Sequence, residues 1–158
     1  RAGIDTITES ATTWEMPQCV EAVEYDLTQS RQELDMFGKA LENTKATFTE
    51  TFITAATPGI LSTTLFRDKE NPDYRSDEEY VYALAEELRK EYEFIVSKGH
   101  ILQLDAPDLA LEKQIMYLDK PVSEFLSRCE LHIDAINKAK IAIFLSKRMI
   151  VRNADAVR

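Results

Sequence analysis

The sequence predicts a mixed α/β fold in which helices alternate with the strands of a parallel sheet. Short runs rich in β-branched and aromatic residues alternate along the chain with segments of helical periodicity, and this order is typical of parallel sheets. The 158 residues suit a single domain, residues 1–158, without an internal repeat. Three to four β–α units in series make up about half of a (β/α)8 TIM barrel, or a small open doubly wound sheet. Periodicity alone does not distinguish these architectures.

The charge balance restricts the classes of partner. The chain has 19 Lys and Arg residues against 28 Asp and Glu residues, a net charge of −9. Phosphate backbones and anionic membrane surfaces attract basic faces, so neither nucleic acid nor a membrane is an expected partner. No apolar run approaches the ~18 residues of a membrane span, and no signal segment follows the opening Arg-Ala-Gly. We expect a cytoplasmic chain cut from a longer protein, with Cys19 and Cys129 as reduced thiols.

The first half of the chain is predicted to contain two strands, each followed by a helix. Cys19 to Tyr25 has a strand pattern, and a helix follows it. Phe48 to Thr54 is dense in aromatic and β-branched residues and is the next predicted strand. Thr57 is expected to cap a short helix with Pro58 at its first position. The charged stretch from Arg67 to Arg75 is expected to be a surface loop.

The strongest helical pattern runs from Ser76 to Lys98. Ser76 and Glu79 have the spacing of a capping box, and apolar residues form one continuous stripe along the predicted helix. Gly99 follows at the position where a left-handed C-terminal cap is favoured. His100 to Asp105 is then a short predicted strand that ends in an acid, before an Ala-Pro dipeptide.

A second strong helical pattern, Val122 to Ala139, leads into the last part of the chain. Ser123 is its expected cap, and its predicted buried face consists of Phe125, Leu126, Cys129, Ile133 and Ile136. Residues 141–158 form a divergent C-terminal segment, in which Met149 to Val151 is the candidate for one more strand.

Asp105 is the clearest candidate for a functional residue. It is an acid at the predicted carboxyl end of a parallel strand, and the active sites of β/α barrels are built from these strand ends. The structural alternative is that its side chain caps the turn that follows. The residue pattern leaves both roles open.

Three other features have weaker signals. Thr57-Pro58-Gly59 lies between a strand and a helix, where exposed amides can hold an anion, but a plain turn is favoured without a glycine-rich motif. Cys129 and His132 are spaced to share one helix face and could hold a metal in principle. Packing of Cys129 in the core, with His132 at the boundary, is favoured. His100 begins a strand at the end opposite Asp105.

Three stretches carry a family resemblance. They are FITAATPGILSTTL at Phe52–Leu65, the helix Tyr74–Gly99 running into ILQLDAPDLAL at Ile101–Leu111, and LHIDAINKA at Leu131–Ala139. In order and spacing they resemble the catalytic domain of cobalamin-independent methionine synthase and its short relatives, which include archaeal-type methyltransferases and epoxyalkane–coenzyme M transferases. The resemblance covers about residues 17 to 140, and it implies a (β/α)8 barrel, here a partial one.

The resemblance also implies a chemistry. In this family a zinc ion activates a small-molecule thiol as the thiolate, and in methionine synthases the thiol is homocysteine and the methyl donor is a methyltetrahydrofolate polyglutamate. Zinc coordination deprotonates a thiol whose pKa is about 8.5 in water. Asp105 matches the family acid that holds the substrate amino group, and Glu9 matches a second family acid once one gap is allowed.

Two departures from the family pattern alter the expected function. Ala106 follows Asp105, where methionine synthases usually have Glu, and this places the chain nearer the short relatives. Ile150 and Arg152 stand where the family has the His and Cys of its zinc pair. We therefore expect no zinc in this chain and no methyl transfer by it alone. The alternatives are a thiol–alkyl transferase of the epoxyalkane–coenzyme M type and a non-catalytic homo-oligomeric module that covers its sheet edges.

Overall fold

The computed structural model describes residues 16–140 and 149–152 of the chain. Within these residues the protein is mixed α/β, with five helices and short parallel strands. The elements are β1 (Gln18–Cys19), α1 (Thr28–Asn43), β2 (Phe52–Ala56), α2 (Pro58–Thr64), β3 (Phe66–Arg67), α3 (Asp77–Ser97), β4 (Ile101–Asp105), α4 (Asp108–Ile115), α5 (Val122–Lys140) and β5 (Met149–Arg152).

Two parallel sheets organise these elements. The main sheet has the order β2-β4-β5, so β4 lies between its two neighbours, and a second sheet pairs β1 with β3. Phe52 is opposite Ile101 at one end of the β2–β4 pair, and Ala56 is opposite Asp105 at the other. On the other side of β4, Asp105 is opposite Arg152. The described strands leave the main sheet open, without closure into a barrel.

The main sheet has one buried and one open face. Ala55, Leu102 and Leu104 belong to the core cluster formed with apolar side chains of α3 and α5. Side chains alternate across a strand, so Thr54 and Asp105 are on the opposite face, where both are exposed. A (β/α)8 barrel has helices outside its strands and directs the other strand face inward.

The predicted ends of the long helix α3 are largely confirmed. The Ser76 hydroxyl accepts a hydrogen bond from the Glu79 amide at 3.1 Å. This bond is the one half of the expected capping box that the structure shows, because the Glu79 carboxylate accepts from the Arg75 amide at 2.8 Å. Gly99 follows the helix with a φ of 87°, a backbone conformation that favours glycine.

Both predicted strands of the first half are displaced. Instead of Cys19 to Tyr25, β1 is Gln18–Cys19. Later in the predicted strand, side chains bind the backbone amides that a sheet partner would use: the Tyr74 hydroxyl accepts from Val23 at 2.8 Å, and Glu87 accepts from Tyr25 at 2.7 Å. The second strand is Phe52–Ala56 rather than Phe48 to Thr54, since pairing with the five residues of β4 sets its length.

The region from Ala106 to Ala139 departs most from prediction. Helix α4 follows the Ala-Pro dipeptide, with Pro107 at its N-terminal boundary, where proline is tolerated. Helix α5 begins at Val122, so Ser123 lies within it. Leu126 and Ile133, predicted to be buried, are 53% and 44% exposed, and the buried residues of α5 are His132, Ala135, Ile136 and Ala139. Two small alanines on this face allow α5 to pack closely against its neighbours.

Two predictions about the ends of the chain have different outcomes. The predicted strand at Met149 to Val151 is present as β5 and extends to Arg152. Residues 141–148 and 153–158 of the divergent segment, like Glu9, lie outside the described residues. Among the helices that the structure describes, none combines the length and apolar character needed to cross a bilayer.

Candidate functional site

Asp105 is the last residue of β4, at the carboxyl end of the main sheet. Its side chain is exposed, and among the described residues its carboxylate has no hydrogen-bond or ion-pair partner. The alternative in which Asp105 caps its own turn is therefore not what the structure contains. An exposed carboxylate at this position is available to a ligand, and its role in substrate binding stays a prediction.

Neighbouring side chains fix the strand ends around Asp105. The Tyr92 hydroxyl, on the core helix α3, donates a 2.5 Å hydrogen bond to the carbonyl of Ala56, which is opposite Asp105 in the sheet. On the open face, the Gln103 amide donates to the Thr54 hydroxyl at 3.0 Å and joins the same two strands. The carboxyl end of the β2–β4 pair is thus tied both to the core and across the open face.

Thr57 belongs to a different, buried group. Its hydroxyl donates to Asp108 Oδ1 at 3.0 Å, and His132 Nδ1 donates to Asp108 Oδ2 at 2.7 Å. All three residues are at most 1% exposed. We call Thr57, Asp108 and His132 the buried network. It joins the beginning of α2, the beginning of α4 and the middle of α5. Thr57 therefore does not share the open face on which Thr54 and Asp105 are exposed.

Gly59 allows the buried network to form. A Cβ atom built on Gly59 would lie 2.1 Å from Asp108 Oδ2 and 2.4 Å from His132 Nδ1. Thr57 caps α2 as predicted, with its hydroxyl accepting from the Ile60 amide at 3.4 Å. The Asp108 carboxylate lies directly against this turn, where an external anion was considered, so the turn serves an internal contact.

Glu112 extends the polar group one helical turn along α4. The side chain is 5% exposed, and neither carboxylate oxygen has a hydrogen-bond partner among the described residues. His132 Nε2 is likewise buried without a partner there. Burial raises the pKa of Glu112, and this effect exceeds the opposing influence of the Thr63 hydroxyl, His132 and Arg128. The Thr63 hydroxyl donates to the Ile60 carbonyl at 3.0 Å, so its proton is already used.

The residues considered for a metal do not fit a zinc site. His132 Nδ1 is bonded to Asp108, and the Cys129 thiol, whose pKa is raised by burial, contacts the Leu109 carbonyl at 4.0 Å. His100 bonds the Thr51 hydroxyl at 2.7 Å, at the far end of β4. Within residues 16–140 and 149–152, no three His, Cys, Asp or Glu side chains converge as zinc requires.

Sequence reasoning missed Asp108 and Glu112 and placed His132 at a boundary. The available signal was the spacing of Asp108 and Glu112, four residues apart and directly after a strand end, which puts both acids on one helix face. Without a predicted helix there, the spacing had no structural meaning.

Comparisons with protein-family models, with curated proteins and with solved structures find no match to this chain.

Proposed function

We propose that the chain is a methionine-synthase-like methyltransferase domain that binds the amino group of its thiol substrate through Asp105. The observation that carries this proposal is the exposed carboxylate at the carboxyl end of β4, which has no partner among the residues that the structure describes. A carboxylate is the natural partner of a substrate ammonium group, because a charge-assisted hydrogen bond is shorter and stronger than a neutral one. The substrate class is an amino-acid thiol, with homocysteine as the specific candidate.

The arrangement of the main sheet supports a barrel-type origin. Parallel strands β2 and β4 bury one face against helices and leave the other open. Strand β5 then follows α5 and pairs with the Asp105 strand. In the resembled family, the strand at this point in the order carries a His-x-Cys zinc pair. In this chain the register of β5 puts position 152 opposite Asp105. In a complete (β/α)8 barrel, these strand ends would meet at one substrate pocket.

The zinc ligands available in this chain decide which part of the reaction it performs. Zinc supplies thiol deprotonation in the resembled family, with methyltetrahydrofolate polyglutamate as the methyl donor. Ile150 and Arg152 occupy the positions of the family zinc pair, and the described residues provide no alternative set. We propose that this domain, in a reducing cytoplasm, orients the amino-acid thiol and does not transfer a methyl group alone.

A thiol–alkyl transferase of the epoxyalkane–coenzyme M type is the competing enzyme proposal. Ala106 after Asp105 favours it, because the methionine synthases usually have Glu there. The two proposals differ in the substrate group that binds Asp105, since a sulfonate-bearing thiol has no ammonium to offer. The identity of the bound thiol therefore separates them.

A homo-oligomeric module without catalysis is a second candidate from another class. Several large apolar side chains of α4, α5 and their connection are exposed: Leu111, Ile115, Leu118, Val122, Leu126 and Ile133. Self-association that covers them would make light scattering give a multiple of the 18.1 kDa chain mass. A monomer at all concentrations would remove this candidate.

The proposal is tested by calorimetric titration of the 158-residue chain with homocysteine and, separately, with 2-mercaptoethanesulfonate. We expect homocysteine to bind and the sulfonate thiol not to. Asp105→Asn should weaken homocysteine binding about tenfold or more, because it removes the charged partner. Asp134→Asn removes an exposed carboxylate from α5 and is the matched control.

Three outcomes are decisive. Selective binding of the sulfonate thiol would favour the alkyl transferase. Homocysteine binding that Asp105→Asn leaves unchanged would remove Asp105 from the substrate site. Stoichiometric zinc by elemental analysis, with methyl transfer to homocysteine that requires methyltetrahydrofolate, would show that the chain carries the whole reaction.

A further inference from the structure

Two neighbouring positions on the open face of the main sheet have hydrogen-bonding groups beyond the Asp105 carboxylate. Thr54 and Gln103 are opposite each other in the pairing of β2 with β4. The Gln103 side-chain amide donates to the Thr54 hydroxyl oxygen at 3.0 Å. A hydroxyl also has one proton to donate, and no described residue accepts the proton of Thr54. This proton is therefore available to a ligand on the open face.

Thr54 and Asp105 lie diagonally across the two strands. Asp105 is opposite Ala56, which follows two residues after Thr54 on β2, and side chains two residues apart share a strand face. Adjacent strands are about 4.8 Å apart and rise about 3.3 Å per residue, so the two positions are separated by roughly 8 Å. Both residues are exposed, so one ligand can reach the hydroxyl and the carboxylate together.

An α-amino acid has the length and the charges that these two positions require. Its ammonium and carboxylate groups are about 3 Å apart, and with a hydrogen bond of about 2.8 Å at each end it spans about 8–9 Å. The methyl side chain of Ala56 leaves the space beside Asp105 open. Asp105 supplies a negative charge, whereas Thr54 and Gln103 are neutral donors, so this surface suits a zwitterion rather than a simple carboxylate.

The existing hydrogen bonds hold these groups in place without a ligand. Tyr92 donates to the Ala56 carbonyl from the core side, and Gln103 joins the same two strands through Thr54 on the open face. Groups that are already fixed lose little conformational freedom on binding. Because the Gln103 amide occupies the oxygen of the Thr54 hydroxyl, the hydroxyl proton is directed away from Gln103 and towards the ligand.

We propose that the Thr54 hydroxyl binds the α-carboxylate of the thiol substrate and that Gln103 positions this hydroxyl. The inference rests on the proposed function, in which Asp105 binds the substrate ammonium group. It adds a second contact, which selects amino-acid thiols over simple aminothiols. The hydrogen bond from Thr54 to a charged carboxylate is stronger than one between neutral groups, so its loss is measurable as a loss of affinity.

The experiment is a calorimetric titration of the 158-residue chain with three thiols that differ in one charged group. Homocysteine has both groups, 3-mercaptopropylamine lacks the carboxylate, and 4-mercaptobutyrate lacks the ammonium. We expect 3-mercaptopropylamine to bind about fivefold more weakly than homocysteine, and 4-mercaptobutyrate at least about tenfold more weakly.

The three thiols separate a failure of this inference from a failure of the proposed function. Equal affinity for homocysteine and 3-mercaptopropylamine would overturn the carboxylate contact and leave the ammonium contact of Asp105 intact. Absence of binding by both thiols that have an ammonium group would overturn the proposed function and this inference together. Equal affinity for homocysteine and 4-mercaptobutyrate would likewise remove the ammonium contact on which both depend.

Thr54→Val keeps a similar side-chain shape and removes the hydroxyl. It should weaken homocysteine binding about fivefold and leave 3-mercaptopropylamine binding unchanged. Thr64→Val is the matched control, because Thr64 is exposed on α2 and its hydroxyl donates to the Ile60 carbonyl. Equal homocysteine affinities in the two valine variants, or an equal loss of both thiols in Thr54→Val, would overturn the role of Thr54.

Gln103→Glu tests the positioning role through the direction of a hydrogen bond. An ionised carboxylate only accepts, so the Thr54 hydroxyl would donate to it and lose the proton that the substrate carboxylate needs. The added negative charge also repels that carboxylate and attracts an ammonium group. Homocysteine binding should weaken about fivefold, while 3-mercaptopropylamine binding should not weaken. A folding defect would weaken both, and a parallel loss of the two thiols would overturn the role of Gln103.

Discussion

The carboxyl end of the main sheet and the buried network lie close in sequence but differ in the exposure and the hydrogen bonding of their acids. Asp105 is exposed and its carboxylate has no partner among the described residues, while Asp108, three residues later, is 1% exposed and bonded to two side chains. One carboxylate is free to meet a ligand, and the other holds three helices together. An acid beside a strand end is therefore not by itself evidence of a substrate site, and its burial and partners decide its role.

Gly59→Ala should produce the largest effect on stability and break the buried network. The new methyl group would lie 2.1 Å from Asp108 Oδ2, so the helices must separate, and we expect a loss of about 3 kcal/mol. Gly38→Ala is the matched control, because nothing lies within 4 Å of a Cβ atom there and alanine is favoured in a helix by ~0.5–1 kcal/mol. Chemical denaturation of both variants measures the difference, and equal midpoints would contradict the close approach.

Asp108→Asn should have the second largest effect. The substitution removes the charge that accepts from Thr57 and His132, and an impaired buried pair typically costs about 2–3 kcal/mol. Asp105→Asn, the same change at the exposed acid, should alter the unfolding free energy by less than ~0.5 kcal/mol. Comparable losses in the two variants would mean that the contrast between the two regions is wrong.

Glu112→Gln should alter how stability depends on pH. The pKa of Glu112 is raised in the folded state, so the folded protein binds more protons than the unfolded chain as this group titrates. Its contribution is therefore fully present below the unfolded pKa and is lost as the pH rises through the folded pKa. The Gln variant cannot ionise, so its melting temperature should rise relative to that of the natural chain as the pH increases from acid to neutral.

Melting curves from about pH 4 to pH 8 measure this gain. Glu130→Gln, at an exposed carboxylate of α5, should run parallel to the natural chain. A gap between Glu112→Gln and the natural chain that widens towards acid pH would reverse the sign and show that Glu112 is stabilised as an anion.

Asp105→Asn should have the smallest effect on stability and the largest effect on homocysteine binding. Asp105→Asn should leave the melting temperature unchanged within about 1–2 °C while weakening homocysteine binding about tenfold or more. Ligand-induced stabilisation provides the measurement, since a ligand that binds only the folded state raises the melting temperature with concentration. A homocysteine-dependent rise of the same size at the same concentrations in the Asp105 variant would locate the thiol elsewhere.

The long periodic elements were predictable from sequence because their signals are local. The helix beginning at Ser76 has its cap, apolar stripe and C-terminal Gly99 within one segment, and the strand ending in Asp105 is bounded by turn residues. The parallel arrangement of β2 and β4 followed from the alternation of elements. By contrast, the end of β1 depends on Tyr74 and Glu87, more than fifty residues away.

The buried network was not predictable for the same reason. Asp108 and Glu112 are buried together because α4 begins directly after Pro107. From sequence alone, two acids on one helix face predict a solvent-exposed face. His132 is buried because α5 packs through Ala135 and Ala139 and exposes Leu126 and Ile133. The spacing of the large apolar residues predicted the wrong buried face for α5, because close helix packing placed its small side chains in the core instead.

Residues Met116 to Pro121 form an exposed connection between α4 and α5. The hydrogen bond between Asp108 and His132 joins the same two helices. The two helices are thus joined twice, once by the backbone and once by a buried polar contact beneath it. A protease that cuts this connection severs only the first link. The two fragments should then remain together and migrate as one species until denaturant separates them, so the connection is a natural place to divide the chain into a complementing pair.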